Sequence, residues 1–306
     1  MTSKTKGYIF AIVSAVTYGM NPLFALPLYA LGVSTDAVLL YRYLTAVLML
    51  GLLMKWRGVP LAITRREAGP LAGFGLLFAL SSLFLFGSYN YMDAGIASTI
   101  LFVYPVMVAL LMSIFYGERL TPLTMGAIAL ALAGIALLYH GPGGVTLSPT
   151  GILLVLLSSL AYAVYMVLIN KSAVGRMPAM KLTFYVLPTG IVLFVVRLLM
   201  AGGVPLLPSA RAWGLAVCLG MFPTVISLVL VTLAIHHIGS TPTAILGALE
   251  PVTAVFFGVL IFGEQLTPRI LLGIVLILGS VILIIAGKQI RHHARRALRR
   301  LHHSQM

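Results

Sequence analysis

The side chains with most chemical potential in this chain sit where charge and polarity are expensive. Glu250 lies about halfway along an apolar run, next to Pro251. A proline there frees a backbone carbonyl on the preceding turn and makes the surroundings locally polar. A carboxylate in that position can bind an ammonium group or cycle a proton. It can also serve only as a structural partner for Arg42 or for a neighbouring helix. Arg42 lies about eight residues into its own apolar run, too deep for an ordinary interfacial anchor. Its planar fork suits bidentate recognition of a carboxylate; the alternatives are neutralisation of Glu250 and snorkelling toward headgroups. Arg197, four residues from the end of a run, is read as a snorkelling residue.

A second group is aromatic and amide. Tyr18 and Asn21 are three residues apart and share a helix face. Tyr162 and Tyr165 repeat that spacing 144 residues later. Tyrosine rings hold apolar groups while their hydroxyls bind polar ones, so facing pairs of this kind can line a binding site. Interfacial tyrosines and a helix-packing asparagine are the plainer reading. Tyr89 and Asn90 are expected to continue the lining, with Asn90 matched to His236. Tyr104 occupies in the first half of the chain the place that Glu250 occupies in the second.

The elements that hold these residues follow from composition. Of 306 residues, 60% are hydrophobic and 8% charged, and the mean hydropathy is +1.08. A soluble domain carries about 25% charged residues, so no water-facing shell of ordinary size exists. The apolar residues form runs of roughly 20, the length that crosses a bilayer as a helix. Only helices and closed barrels satisfy the backbone there, and the runs are too long and uniform for barrel strands. The expected class is all-α integral membrane. Ten spans are expected, near 7–27, 34–54, 70–91, 94–115, 122–140, 150–170, 181–201, 212–234, 240–261 and 268–287. The amino-terminal run is read as an uncleaved first span rather than a signal peptide.

Charge orients that arrangement. With the amino terminus inside, sixteen of the twenty Lys and Arg residues fall on the cytoplasmic side. Arg211 and Arg269 fall outside, and Arg42 and Arg197 lie within spans. This is a strong positive-inside bias, and it accounts for the net charge of +14 without any nucleic-acid partner. Both termini are thus expected in the cytoplasm, and the chain in a bacterial inner membrane. The basic tail, 288–306, reads as a juxtamembrane segment near anionic headgroups. Its two His-His doublets stand among arginines that repel cations, so no metal or other cofactor is expected. The lone Cys218 reads as a small buried apolar residue.

One pattern occurs twice: Pro-Val, ten residues, then Gly-Glu-x-Leu-Thr-Pro. Pro105, Gly117, Glu118 and Pro122 form the first copy, and Pro251, Gly263, Glu264 and Pro268 the second. Gly7, Ser14 and Tyr18 match Gly151, Ser158 and Tyr162 at nearly the same offset. The chain therefore reads as a duplication, 7–140 and 150–287. Five spans per half force the second half to enter from the opposite side, and inverted repeats place a binding site at their interface. Glu118 and Glu264 are read as turn and helix-dipole residues. Gly126, Gly134, Gly273 and Gly279 are read as close-packing positions between spans 5 and 10, where a homodimer contact is conceivable.

These residues carry a family likeness. The chain resembles EamA-type members of the drug/metabolite transporter superfamily through Tyr18-Gly19-Met20-Asn21, where the family usually has Trp-Gly-x-Asn, and through Tyr41-Arg42-Tyr43. Tyr104-Pro105, Tyr116-Gly117-Glu118-Arg119-Leu120-Thr121, Leu249-Glu250-Pro251 and Phe262-Gly263-Glu264-Gln265-Leu266-Thr267 complete it. The resemblance implies two five-helix halves and export or exchange of small amphipathic metabolites, typically amino acids or related compounds. Import or exchange of a vitamin or nucleotide derivative is the alternative. The absence of a P-loop, His-Glu-x-x-His or Gly-x-Ser-x-Gly motif, with six acidic residues in all, argues against an enzyme. No ring of like charge or filter-like loop points to a channel.

Overall fold

The computed structural model describes residues 3–117, 122–139, 148–172, 174, 177–238, 243 and 246–283. Every regular element among them is helical, as long apolar runs in a bilayer require. The first half contains α1 (Ser3–Gly19), α2 (Asn21–Ala30), α3 (Thr35–Trp56), α4 (Arg65–Ser88), α5 (Ala94–Leu101), α6 (Tyr104–Tyr116) and α7 (Pro122–Tyr139). The second contains α8 (Pro149–Lys171), α9 (Ala179–Met200), α10 (Ala210–Gly220), a π-helical segment at Met221–Ile226, α11 (Ser227–Ile238) and α12 (Leu249–Phe262). A last apolar helix, α13, covers Pro268–Leu283.

Taken as continuous stretches, seven are long and apolar enough to cross a membrane: Ser3–Ala30, Thr35–Trp56, Arg65–Ser88, Ala94–Tyr116, Pro149–Ile169, Met180–Met200 and Ala210–Ile238. They fall on seven of the expected runs. Shorter apolar helices occupy the remaining three places, at Pro122–Leu138, Leu249–Phe262 and Pro268–Leu283. Three of the long stretches are not the uniform helices their hydropathy suggests. α1 gives way to α2 at Met20, α5 to α6 at Phe102 and Val103, and α10 passes into α11 through the π-helical segment.

The halves interlock. α1 packs on α11 and α4 on α8, α3 lies along α9, and α5 lies along α12. Matching one half to the other by the sequence repeat exchanges the first two pairs and maps the α3–α9 pair onto itself. The same hydrogen bond even recurs in the exchanged pairs. Ser14 Oγ donates to the Ser227 carbonyl at 2.8 Å, and Ser158 Oγ donates to the Ser81 carbonyl at 2.7 Å. The duplicated Gly-Glu turns also match: α6 ends at Gly117 with φ of 64° and α12 at Gly263 with φ of 70°. Left-handed backbone at a helix end favours glycine, which lacks a Cβ.

Two expectations about helix contacts change. Gly134 and Gly273 do pack together, since a Cβ on Gly134 would lie 2.8 Å from the Gly273 carbonyl oxygen. Gly126 and Gly279 have open space around them and are not close-packing positions. Arg197, expected to snorkel, has a protein partner. It forms a two-pronged ion pair with Asp36 in the first turn of α3, at 2.7 and 3.2 Å, because the α3–α9 packing brings the carboxylate to it. Cys218 is half-buried and unpaired. Glu118 and the tail 288–306 lie outside the described residues.

Candidate functional site

Prolines break the helices that build the site, and each break is answered by a specific donor. Pro22 has no N–H for the carbonyl of Tyr18, four residues earlier. Asn21 supplies one from its side chain, Nδ2 to Tyr18 O at 2.8 Å. Pro105 likewise deprives Leu101, whose carbonyl accepts from Ser159 Oγ of α8 at 3.0 Å. Pro251 deprives Gly247, whose carbonyl takes the Glu250 amide at 2.9 Å. The first of these breaks lies against the third. A Cβ on Gly19 would come within 2.5 Å of the Glu250 carbonyl oxygen, so glycine lets α1 touch the start of α12.

These breaks set the site. Glu250 stands in the first turn of α12, at the positive end of a half-helix dipole. Tyr18, Tyr104 and Tyr162 lie near enough to feel its charge. Tyr104 packs edge-on against Tyr162 with ring centroids 4.7 Å apart, and Tyr162 stacks on Tyr165 at 5.7 Å. Tyr165 rests on Phe78 at 5.5 Å, which ends an aromatic wall running from α6 across α8 to α4. Glu250 and these four tyrosines lie deep in the bundle yet keep partly accessible surface.

Arg42 also lies near Tyr18. It is 2% exposed, and the Tyr18 hydroxyl lies near its guanidinium. Nε donates to Thr224 Oγ1 at 3.0 Å, and the guanidinium sits 5.0 Å over the Phe86 ring. Thr224 in turn donates to the Leu219 carbonyl, five residues back, at 3.2 Å. That is the spacing of the π-helical turn in which Thr224 sits. Arg42 and Glu250 do not pair with each other; the one ion pair among the described residues is Arg197 with Asp36.

The structure thus gathers Tyr18, Arg42, Tyr104, Tyr162, Tyr165 and Glu250. Asn21 is buried beside them, with its amide nitrogen engaged by the broken helix and Oδ1 without a partner. Tyr89 is buried against Phe86, and its hydroxyl lies near Ser98 without a hydrogen bond. Asn90 stands apart. It is exposed at the end of α4 and donates to the Thr35 hydroxyl at 3.3 Å and to the Gly87 carbonyl at 3.2 Å. Thr224 and Phe86 belong to the Arg42 environment and are not signalled by polarity in the sequence; Pro223 in mid-run is the one hint of the irregular turn that presents Thr224.

A second cluster lies at one end of the repeat interface. Glu264 accepts from the Ala94 amide at 2.8 Å and the Gly95 amide at 3.1 Å, so it caps α5 of the other half rather than its own helix. Its carboxyl is pushed up to about 7, mainly by burial and further by the Asp93 charge, while the Gly95 and Ala94 amides pull it down.

This architecture has known relatives. The EamA-like transporter family matches the chain twice, over residues 5–140 and 149–286. The chain belongs to that family. An uncharacterized transporter of Archaeoglobus fulgidus is 31% identical over 62% of this chain and 67% of its own. The uncharacterized transporter YcbK of Bacillus subtilis is 25% identical over 93% of both chains. The uncharacterized inner membrane transporter YedA of Escherichia coli K12 is 26% identical over 81% of this chain and 80% of its own. One crystal structure aligns over 92% of this chain and 96% of its own with a TM-score of 0.65 at 19% identity, which shows the shared fold. The chain is a multi-pass membrane transporter.

Proposed function

We propose that the chain is a secondary active transporter that exports amino acids or related small amphipathic metabolites by alternating access. The observation that carries this reading is the position of Glu250. An acidic group heads a half-helix where the two halves meet, near tyrosines from three other helices. Broken helices meeting at a repeat interface are how transporters with internal repeats build a cargo site. Rings suited to apolar groups beside a carboxylate suited to an ammonium group fit an amphipathic amine. In this reading the halves form ten spans of opposite orientation in the inner membrane, with both termini cytoplasmic, and Glu250 alternates between cargo and a proton.

The test uses purified chain in liposomes, with efflux of a radiolabelled amino-acid panel measured across imposed pH gradients. Wild type is expected to move at least one member faster when protons can flow inward, and Glu250→Gln to lose that acceleration. Unchanged pH dependence in Glu250→Gln removes Glu250 from coupling.

A further inference from the structure

Arg42 raises a question that the Glu250 site does not answer. A guanidinium is charged at any physiological pH, and burying a charge is unfavourable unless a counter-charge compensates it. Among the described residues no carboxylate lies within ion-pair distance of Arg42. Instead the side chain is held in place by neutral groups. Thr224 takes Nε, and Phe86 supports the flat face. With Nε committed to Thr224 and the Tyr18 hydroxyl beside the guanidinium, the edge formed by the two terminal nitrogens is the one that grips two oxygens of one group side by side. The hydroxyl of Tyr89 is buried near Ser98 without a well-formed hydrogen bond, and Arg42 lies within its wider electrostatic surroundings. A buried hydroxyl left unsatisfied is rare and calls for a partner.

We propose that Arg42, fixed by Thr224 and backed by Phe86, is a subsite for an oxyanion of the cargo, with the Tyr89 hydroxyl as a further donor. This rests on the transport reading and adds a second pole to it. Tyr18 neighbours both Arg42 and Glu250, so the two poles share that phenol. Thr224 is a positioning residue. It never needs to touch cargo, and the π-helical turn exists at the point where its hydroxyl must face α3. A carboxylate and a phosphate monoester share the chemistry that the fork reads.

The test is ligand-induced thermal stabilisation of the full chain in nanodiscs with four matched probes: isocaproate, isopentyl phosphate, isopentylamine and leucine. A ligand that binds the folded chain raises its apparent stability. Wild type is expected to be stabilised by isocaproate or isopentyl phosphate, and the tighter of the two names the oxyanion. Thr224→Val and Arg42→Gln should weaken that probe by about tenfold or more, as loss of a buried charged contact does. Thr224→Ser should keep the affinity within about threefold of wild type, since its hydroxyl can still accept from Nε. Isopentylamine binding should survive Thr224→Val, which shows the variant is folded, and should be lost in Glu250→Gln. Equal oxyanion affinity in wild type and Thr224→Val overturns the proposal, as does a wild type that neither oxyanion stabilises. Leucine counterflow in liposomes separates the two readings. Oxyanion binding that follows Arg42 and Thr224 without flux of any probe sinks transport and keeps the subsite. Flux with oxyanion affinity indifferent to Thr224 sinks the subsite alone.

Discussion

Asn21 Nδ2 lies 2.8 Å from the carbonyl oxygen of Tyr18, the acceptor that Pro22 leaves without a backbone donor. The pair explains why a proline and an asparagine adjoin in the first helix of a membrane protein. The proline bends the chain and frees a carbonyl, and the asparagine satisfies it from the same turn. Tyr18 is held at the bend, with Arg42 and Glu250 both near its hydroxyl.

That relationship can be tested by a double-mutant cycle. Asn21→Ala strands a buried carbonyl and is expected to destabilise the chain by about 1 to 2 kcal/mol. Pro22→Ala restores a backbone N–H in register with Tyr18, so Asn21→Ala should do much less harm in that background. Unfolding midpoints of the four proteins in one detergent measure the coupling. Additive effects would mean that the amide does not stand in for the missing backbone bond.

The two serine bonds between the halves make a symmetric prediction. Ser14→Ala and Ser158→Ala each remove one hydroxyl-to-carbonyl bond of 2.8 or 2.7 Å. Interhelical hydrogen bonds in membrane proteins contribute about 0.6 kcal/mol on average. Each variant should therefore lose about that much, and the double variant the sum of both, since the sites share no partner. Mild-denaturant unfolding titrations check it. A loss at one serine with none at its twin would show that the repeat is geometric without being energetic.

The membrane class was legible because hydrocarbon leaves only one way to satisfy a long apolar backbone. The duplication was legible because Pro105 and Pro251, with Gly117 and Gly263, punctuate both halves alike. The gathering of Tyr18, Arg42, Tyr104, Tyr162, Tyr165 and Glu250 follows from the same reasoning, since polar groups inside a span must face something other than lipid. What sequence could not show is which donor answers each proline. Ser159 serves Leu101 from another helix, and no spacing rule predicts a partner 58 residues away. Thr224 was hidden because a hydroxyl in a span reads as ordinary packing until a π-helical turn points it at Arg42. Glu264 was read on its own helix, whereas the interlocking of the halves delivers it to α5. Arg197 looked like a lone interfacial cation because Asp36 is 161 residues distant in sequence.

Gly19 gives a steric prediction. A methyl group there would lie 2.5 Å from the Glu250 carbonyl oxygen and 2.6 Å from Thr253 Cβ. The first is backbone and cannot swing aside, so Gly19→Ala must push α1 away from α12. Overpacking of this kind costs about 1 to 3 kcal/mol, and transport should fall more steeply than stability because the displacement is at Glu250. Gly126→Ala, with nothing within 4 Å, is the matched control and should leave both unchanged. Flux and unfolding midpoint measured on the same preparations decide it. Full flux in Gly19→Ala would place the cargo away from that contact.

The last prediction concerns pH and Glu264. Its carboxyl is raised from the ordinary 4.5 to about 7, first by burial and then by the Asp93 charge. Burial also raises Asp93. A carboxyl whose folded value lies above its unfolded value holds a proton in the folded chain that the unfolded chain has released. Stability then falls as pH rises from about 4.5 to about 7 and levels off above, the reverse of the usual behaviour of a paired carboxylate. Glu264→Gln keeps a side-chain oxygen for the Ala94 amide but cannot titrate, so its unfolding midpoint should lose the decline across that window. Asp93→Asn removes the nearby charge while leaving the burial, so the decline should persist and end at a lower pH. Midpoints measured between pH 5 and 8 separate these cases. A slope identical in wild type and Glu264→Gln would assign the titration elsewhere and leave the Glu264 cap on α5 as a permanent tie between the halves.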